Sequence, residues 1–193
     1  MILGVSGSPR NQATENVLRK ALDQLELAGY ETAFWGVRGK KIGFCTHCDY
    51  CLKGEGCAIN DDMSELVTLL ENAQAYVFAT PVYNGGISGQ LKTVMDRSRA
   101  LFASNNKWLR YKPGIAIAVG GDRAGGQEHA IQQILNYYTM SGAVPVSGGF
   151  FGANLGATFW SKDTLERVKE DGDGFSALDK TLKKLIKYME REK

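Results

Sequence analysis

Cysteine is absent from this 193-residue sequence except between residues 45 and 57. A charge excess is absent too. The 23 Lys and Arg stand against 21 Asp and Glu, with no basic tract and no long acidic tail, so composition gives no mark of a nucleic-acid, membrane or scaffold role. No apolar run approaches the roughly 18 residues of a spanning helix. The start, MILGVSGSPR, lacks the basic stretch and apolar core of a signal peptide. A cytoplasmic location is therefore expected, where thiols stay reduced and a cysteine cluster more often binds metal than forms disulfides. With no internal repeat or low-complexity linker, and 44% hydrophobic residues, the chain is expected to form one domain over 1–193 with a sizeable core.

What is present is an alternation. MILGVSG (1–7), YETAFWGV (30–37), QAYVFATPV (74–82), GIAIAVGG (114–121) and AVPVSGGFFG (143–152) are short apolar runs that read as strands. Helical segments separate them: 14–29, where Leu18, Ala21, Leu22 and Leu25 share a face; 60–73, opening on Asn and Asp; 88–102; and 126–142, closed by glycine. The tail from Ser161 (161–193) reads as helical with a break at DGDG (171–174). Strands alternating with helices predict an α/β fold, a flavodoxin-like three-layer sandwich with a five-stranded parallel sheet and helices on both faces. A cysteine-rich loop (38–59) is inserted after the second strand, too long for an ordinary strand-to-helix connection.

In such sheets ligands bind beyond the carboxyl ends of the strands. Three loops there are unusual. GSPRNQAT (7–14) offers the hydroxyls of Ser8 and Thr14, the Arg10 guanidinium and the amides of a helix start, the groups that surround a phosphate. It is neither a Walker A loop nor a G-x-G-x-x-G fingerprint, which argues against a nucleoside triphosphate. TPVYNGGISG (80–89) and GGDRAGGQE (120–128) supply bare backbone that approaches a flat ligand without Cβ clashes. Each loop taken alone also reads as ordinary turn or cap chemistry. Together they fit a ligand with one phosphate and a broad planar ring, the shape of flavin mononucleotide (FMN).

GVSGSPR, ATPVYNGGISGQLKTVMDR and GGDRAGGQE resemble the NADPH-dependent FMN reductase-like group of flavodoxin-like proteins. Cys45-x2-Cys48-x2-Cys51-x5-Cys57 further resembles the compact motif of the iron–sulfur flavoproteins, whose subunits carry one FMN and one [4Fe–4S] cluster. The resemblance implies that Ser8, Arg10, Thr14 and Asn16 hold the FMN phosphate. It also implies that Pro81, Val82, Tyr83, Asn84 and Gly85 border the ring on one side, and Gly121, Arg123 and Gly126 on the other. It suggests a homodimer or homotetramer.

Four soft thiolates on a short pliable segment are what a cluster needs, with the KGEG turn (53–56) curling the chain back to place Cys57. Structural zinc uses Cys-x2-Cys as well, although in two knuckles separated by a longer loop. A redox dithiol would leave two cysteines unexplained, and His47 reads as solvated. The expected function is an electron-transfer oxidoreductase: a ferredoxin-type one-electron donor, the cluster, FMN, then a small acceptor such as oxygen or hydrogen peroxide. No side chain is required as acid or base. Two rivals stay open, an NAD(P)H-dependent FMN or quinone reductase with zinc or nothing at the cysteines, and a flavodoxin-like carrier without a substrate of its own.

Overall fold

The computed structural model describes residues 1–54 and 56–191. Three strands are buried along their whole length: β1 (Ile2–Ser6), β3 (Ala75–Pro81) and β4 (Pro113–Gly120). Near-continuous apolar runs suit strands covered on both faces of a parallel sheet. β2 (Thr32–Gly36) lies outside β1, and β5 (Val144–Pro145) beyond β4, giving the parallel order β2-β1-β3-β4-β5. Because β1 pairs with both β2 and β3, the winding direction reverses at β1, and a crevice opens beyond its carboxyl end.

Successive side chains of a strand point to opposite faces, and the two cores follow from this. Tyr76 and Phe78 face a layer that includes Leu66 and Leu70 of α2 (Met63–Asn72), Leu91 and Val94 of α3 (Gly89–Arg97), and Ile131 and Ile134 of α5 (Gln127–Met140). Val77 of β3, with Ile115 and Ile117 of β4, faces Leu18 and Leu25 of α1 (Ala13–Leu27), and Leu178, Leu182 and Leu185 of α7 (Gly172–Arg191). Each such side chain, fully buried, stabilises the fold by about 1.5–3 kcal/mol relative to exposure. Among the described residues no helix is long and apolar enough to cross a membrane.

Three expected elements take a different form. The fifth strand does not run over 143–152. Only Val144–Pro145 pairs there; the chain then leaves the sheet, and β6 (Ala157–Trp160) fills the rest of the position beside β4. The intervening segment closes on itself through a Gly149–Asn154 bridge and exposes Phe150 and Phe151. The helix expected over 88–102 is broken at Ser98 into α3 and α4 (Arg99–Ser104), where the Ser98 hydroxyl donates to the Met95 carbonyl at 2.6 Å. Such back-bonding competes with the helical ladder and bends it. The tail, which follows β6 directly, begins with a turn at Ser161–Thr164, continues as α6 (Leu165–Lys169), and its DGDG run enters α7 at Gly172, so only Asp171 of the four stays outside a helix. Glu55 of the KGEG turn and residues 192–193 of the tail lie outside the described residues.

Candidate functional site

The loops after β1, β3 and β4 meet at one edge of the sheet. A small cavity there is lined by Ser8, Arg10, Thr14, Pro81, Val82, Tyr83 and Gly121, together with Ser161 and Asp163 from the turn after β6. Ser88, the cap of α3, ties two of the loops together: its hydroxyl donates to the Gly7 carbonyl at 2.7 Å and accepts from the Leu91 amide. A Cβ on Gly7 would stand 2.7 Å from Leu91 Cβ and 2.9 Å from Ser88 Oγ, so this closeness needs glycine. The α1 helix starts at Ala13 with no side-chain cap. Gln12, Ala13 and Thr14 line the cavity, so the uncapped first amides of the helix lie at its edge as donors for an anion.

The other expected FMN residues are placed differently. Asn84 and Gly85, at φ +50° and +78°, form a tight turn whose flanks Tyr83 and Gly86 exchange backbone hydrogen bonds at 3.0 and 3.1 Å, the geometry that Asn-Gly favours. Gly126, at φ +99°, lies against Gly85: a Cβ there would be 2.8 Å from Gly85 Cα. These residues hold the second and third loops in backbone contact. Arg123 does not line the cavity. It spans Asp171 at 3.8 Å and Asp173 at 3.5 Å, above the Trp160 ring. Asn16 sits a turn into α1, with its Oδ1 a buried acceptor that has no partner among the described residues.

The four cysteines line a second cavity, walled on its far side by Asp96, Arg97, Arg99 and Ala100. Cys45, Cys48 and Cys57 are exposed and Cys51 half-buried. Arg97 clasps both ends of the cysteine loop. Its Nη1 donates to the Gly43 carbonyl at 2.8 Å and to Asp61 Oδ2 at 2.7 Å; its Nη2 donates to the Ile59 carbonyl at 3.1 Å and to Asp61 Oδ1 at 3.0 Å. Asp61 in turn accepts the Gly43 and Met63 amides. Hydrogen bonding from Arg97 holds the Asp61 carboxyl below its ordinary pKa. Burial alone would lower the Arg97 pKa, but Asp61 and Cys57 outweigh it and keep the guanidinium charged.

Arg99 donates to Asp49 at 2.6 Å and reaches Cys51 Sγ at 3.8 Å. A hydrogen bond from the Tyr50 backbone lowers the Cys48 pKa. Among the described residues no three His, Cys, Asp or Glu side chains are gathered around one point as for a single ion. Four soft thiols around a shared cavity, faced by two guanidiniums, fit an anionic, sulfur-rich group. His47 is solvent-exposed beside Asp49.

Sequence reasoning did not single out Arg97, Arg99, Asp61, Gln127 or the β6 turn. Arg97 carried a signal: it follows Val94 by three on the buried stripe of α3, where an arginine needs buried partners. Gln127 is buried and stitches the third loop, accepting from the Gly125 amide and donating to the Asp122 and Phe159 carbonyls.

A doubly wound sheet with three ligand loops at its carboxyl edge places the chain in the flavodoxin-like class. The comparisons agree. Residues 1–158 match the NADPH-dependent FMN reductase family. An iron–sulfur flavoprotein of Archaeoglobus fulgidus is 61% identical over 99% of this chain and 98% of its own. Another, from Methanocaldococcus jannaschii, is 48% identical over 100% and 98%. The structure of a WrbA-like flavodoxin from Agrobacterium tumefaciens has the same fold, with a TM-score of 0.68 at 18% identity, covering 98% of this chain and 97% of that one. The chain belongs to the NADPH-dependent FMN reductase family and, within it, to the iron–sulfur flavoproteins: it is a flavin-dependent oxidoreductase with an electron-transfer function.

Proposed function

We propose that this oxidoreductase takes electrons singly from a ferredoxin-type donor through a [4Fe–4S] cluster, and passes them by way of FMN to a small acceptor such as oxygen or hydrogen peroxide. The observation that carries this reading is the cavity lined by all four cysteines and faced by Arg97 and Arg99. Bound there, a cluster supplies one-electron steps and a flavin two, which joins a single-electron donor to a two-electron acceptor.

The chain's part is to hold and tune. Cys45, Cys48, Cys51 and Cys57 provide the thiolates, and the two guanidiniums offset their charge. Ser8, Arg10, Thr14 and the first amides of α1 take the FMN phosphate; Pro81, Val82, Tyr83 and Gly121 border the ring. Asn84, Gly85 and Gly126 act through the backbone contact between loops. Two apolar layers on opposite faces of one sheet support a single domain over 1–193.

Anaerobic purification with iron, acid-labile sulfide, zinc and FMN counted per chain tests this. About four iron and about four sulfide with one FMN are expected. Zinc with FMN, or FMN alone bleached rapidly by NADPH, would replace the reading with a pyridine-nucleotide-dependent reductase.

A further inference from the structure

An arginine has five N–H donors. In Arg97, whose side chain is 1% exposed, four are occupied: two by the Asp61 carboxylate, one by the Gly43 carbonyl and one by the Ile59 carbonyl. The fifth, Nε–H, is buried with no partner among the described residues. The other buried polar atoms in that condition belong to Asn16, Trp35 and Trp108, and none of those residues lines the cysteine cavity, whereas Arg97 does. A buried donor left without an acceptor is costly, and more so on a charged group. Of the four thiols, Cys57 is the one that acts on this guanidinium.

We infer that Arg97 Nε–H donates a hydrogen bond to a cluster sulfur on the Cys57 side of the cavity, so that Arg97 tunes the cluster as well as clasping its loop. This rests on the proposed cluster. The fork held by Asp61 and the two carbonyls leaves the guanidinium no freedom to turn Nε elsewhere. Hydrogen bonds to sulfur and nearby positive charge both stabilise the more negative, reduced state of a cluster and raise its potential. Arg99, paired with Asp49 and more exposed, donates to Cys51 Sγ at 3.8 Å, a longer and less enclosed contact on the other side of the cavity.

The test uses the native protein labelled with 15N-arginine and reduced, with pulsed electron paramagnetic resonance reading 15N coupling to the cluster spin. Arginine coupling is expected in the wild type, with its strongest component retained in Arg99→Lys and lost in Arg97→Lys, and the Arg97→Lys potential is expected to move negative at unchanged iron and sulfide content. Wild-type protein with iron and sulfide but no arginine coupling overturns the inference, as does coupling that vanishes in Arg99→Lys and persists in Arg97→Lys. Should Arg97→Lys fail to hold its cluster, the wild-type and Arg99→Lys spectra decide. Absence of iron and sulfide from the wild type overturns the proposed cluster itself, a result the metal count separates from the others.

Discussion

Replacing Asp61 with Asn changes a single oxygen to an NH2 group, and the structure says what that removes. Each carboxylate oxygen accepts two hydrogen bonds, one from Arg97 and one from a backbone amide. Whichever oxygen becomes nitrogen, one Arg97 donor and one amide then face a donor, and a guanidinium that is 1% exposed loses its counter-charge. Breaking a buried pair from one side costs about 3–5 kcal/mol; with the pair beside the cysteine cavity we take roughly 3 kcal/mol. For a chain of this size that lowers Tm by about 6–12 °C.

The pH dependence follows from the sign of the shift. Asp61 has a folded pKa below its ordinary 3.8, so its contribution is fully present above the unfolded value and fades as pH falls through the folded one. Calorimetry at pH 7 should show the full difference between Asp61→Asn and wild type. Urea unfolding at pH 3 should show a smaller one. A Tm shift of under about 1 °C at pH 7, or a gap that does not narrow in acid, would refute this account of the clamp.

Other expectations concern the two proposed cofactor sites. Cys48→Ser should abolish cluster absorbance while FMN stays bound, read by absorbance and extracted flavin; loss of both would argue against separate sites. Arg10→Ala, which removes an exposed cation from the first loop, should weaken FMN binding about tenfold by fluorescence titration, roughly 1.4 kcal/mol, with a weaker dependence on salt. Gly126→Ala should lower stability by about 1–3 kcal/mol, because alanine meets both a positive φ and the Gly85 backbone; an unchanged Tm would mean the two loops separate freely. The double change Phe150→Ser with Phe151→Ser, at side chains 89% and 93% exposed, should leave stability within about 0.5 kcal/mol.

The central strands and their order-setting alternation were legible because apolar runs such as AYVFATP are buried along their whole length. The thiols were legible because their spacing is local. Arg97–Asp61 was not, since the pair is 36 residues apart in sequence and no short motif records it. β6 escaped because four residues with alternating burial, after a glycine-rich stretch, give too short a pattern to separate from a loop. The Ser98 break also left no clear mark, though it matters for the site. Residues two apart on a regular helix do not share a face, yet Arg97 and Arg99 both line the cysteine cavity, and the helix is interrupted between them.

The division of the fifth strand has a consequence for engineering. β4 is gripped by β5 at Pro113 and Gly114 and by β6 from Ile117 to Gly120, so the two ends of this edge are fixed by independent registers. Between them, Val146 and Ala153 are buried while Phe150 and Phe151 are exposed, so residues added at that exposed tip leave both registers in place, and loop-closure entropy rises only slowly as residues are added. A reporter peptide or electrode-coupling tag grafted at Phe150–Phe151 would hang from the rim of the sheet without pulling on the Ser161–Asp163 turn that lines the first cavity.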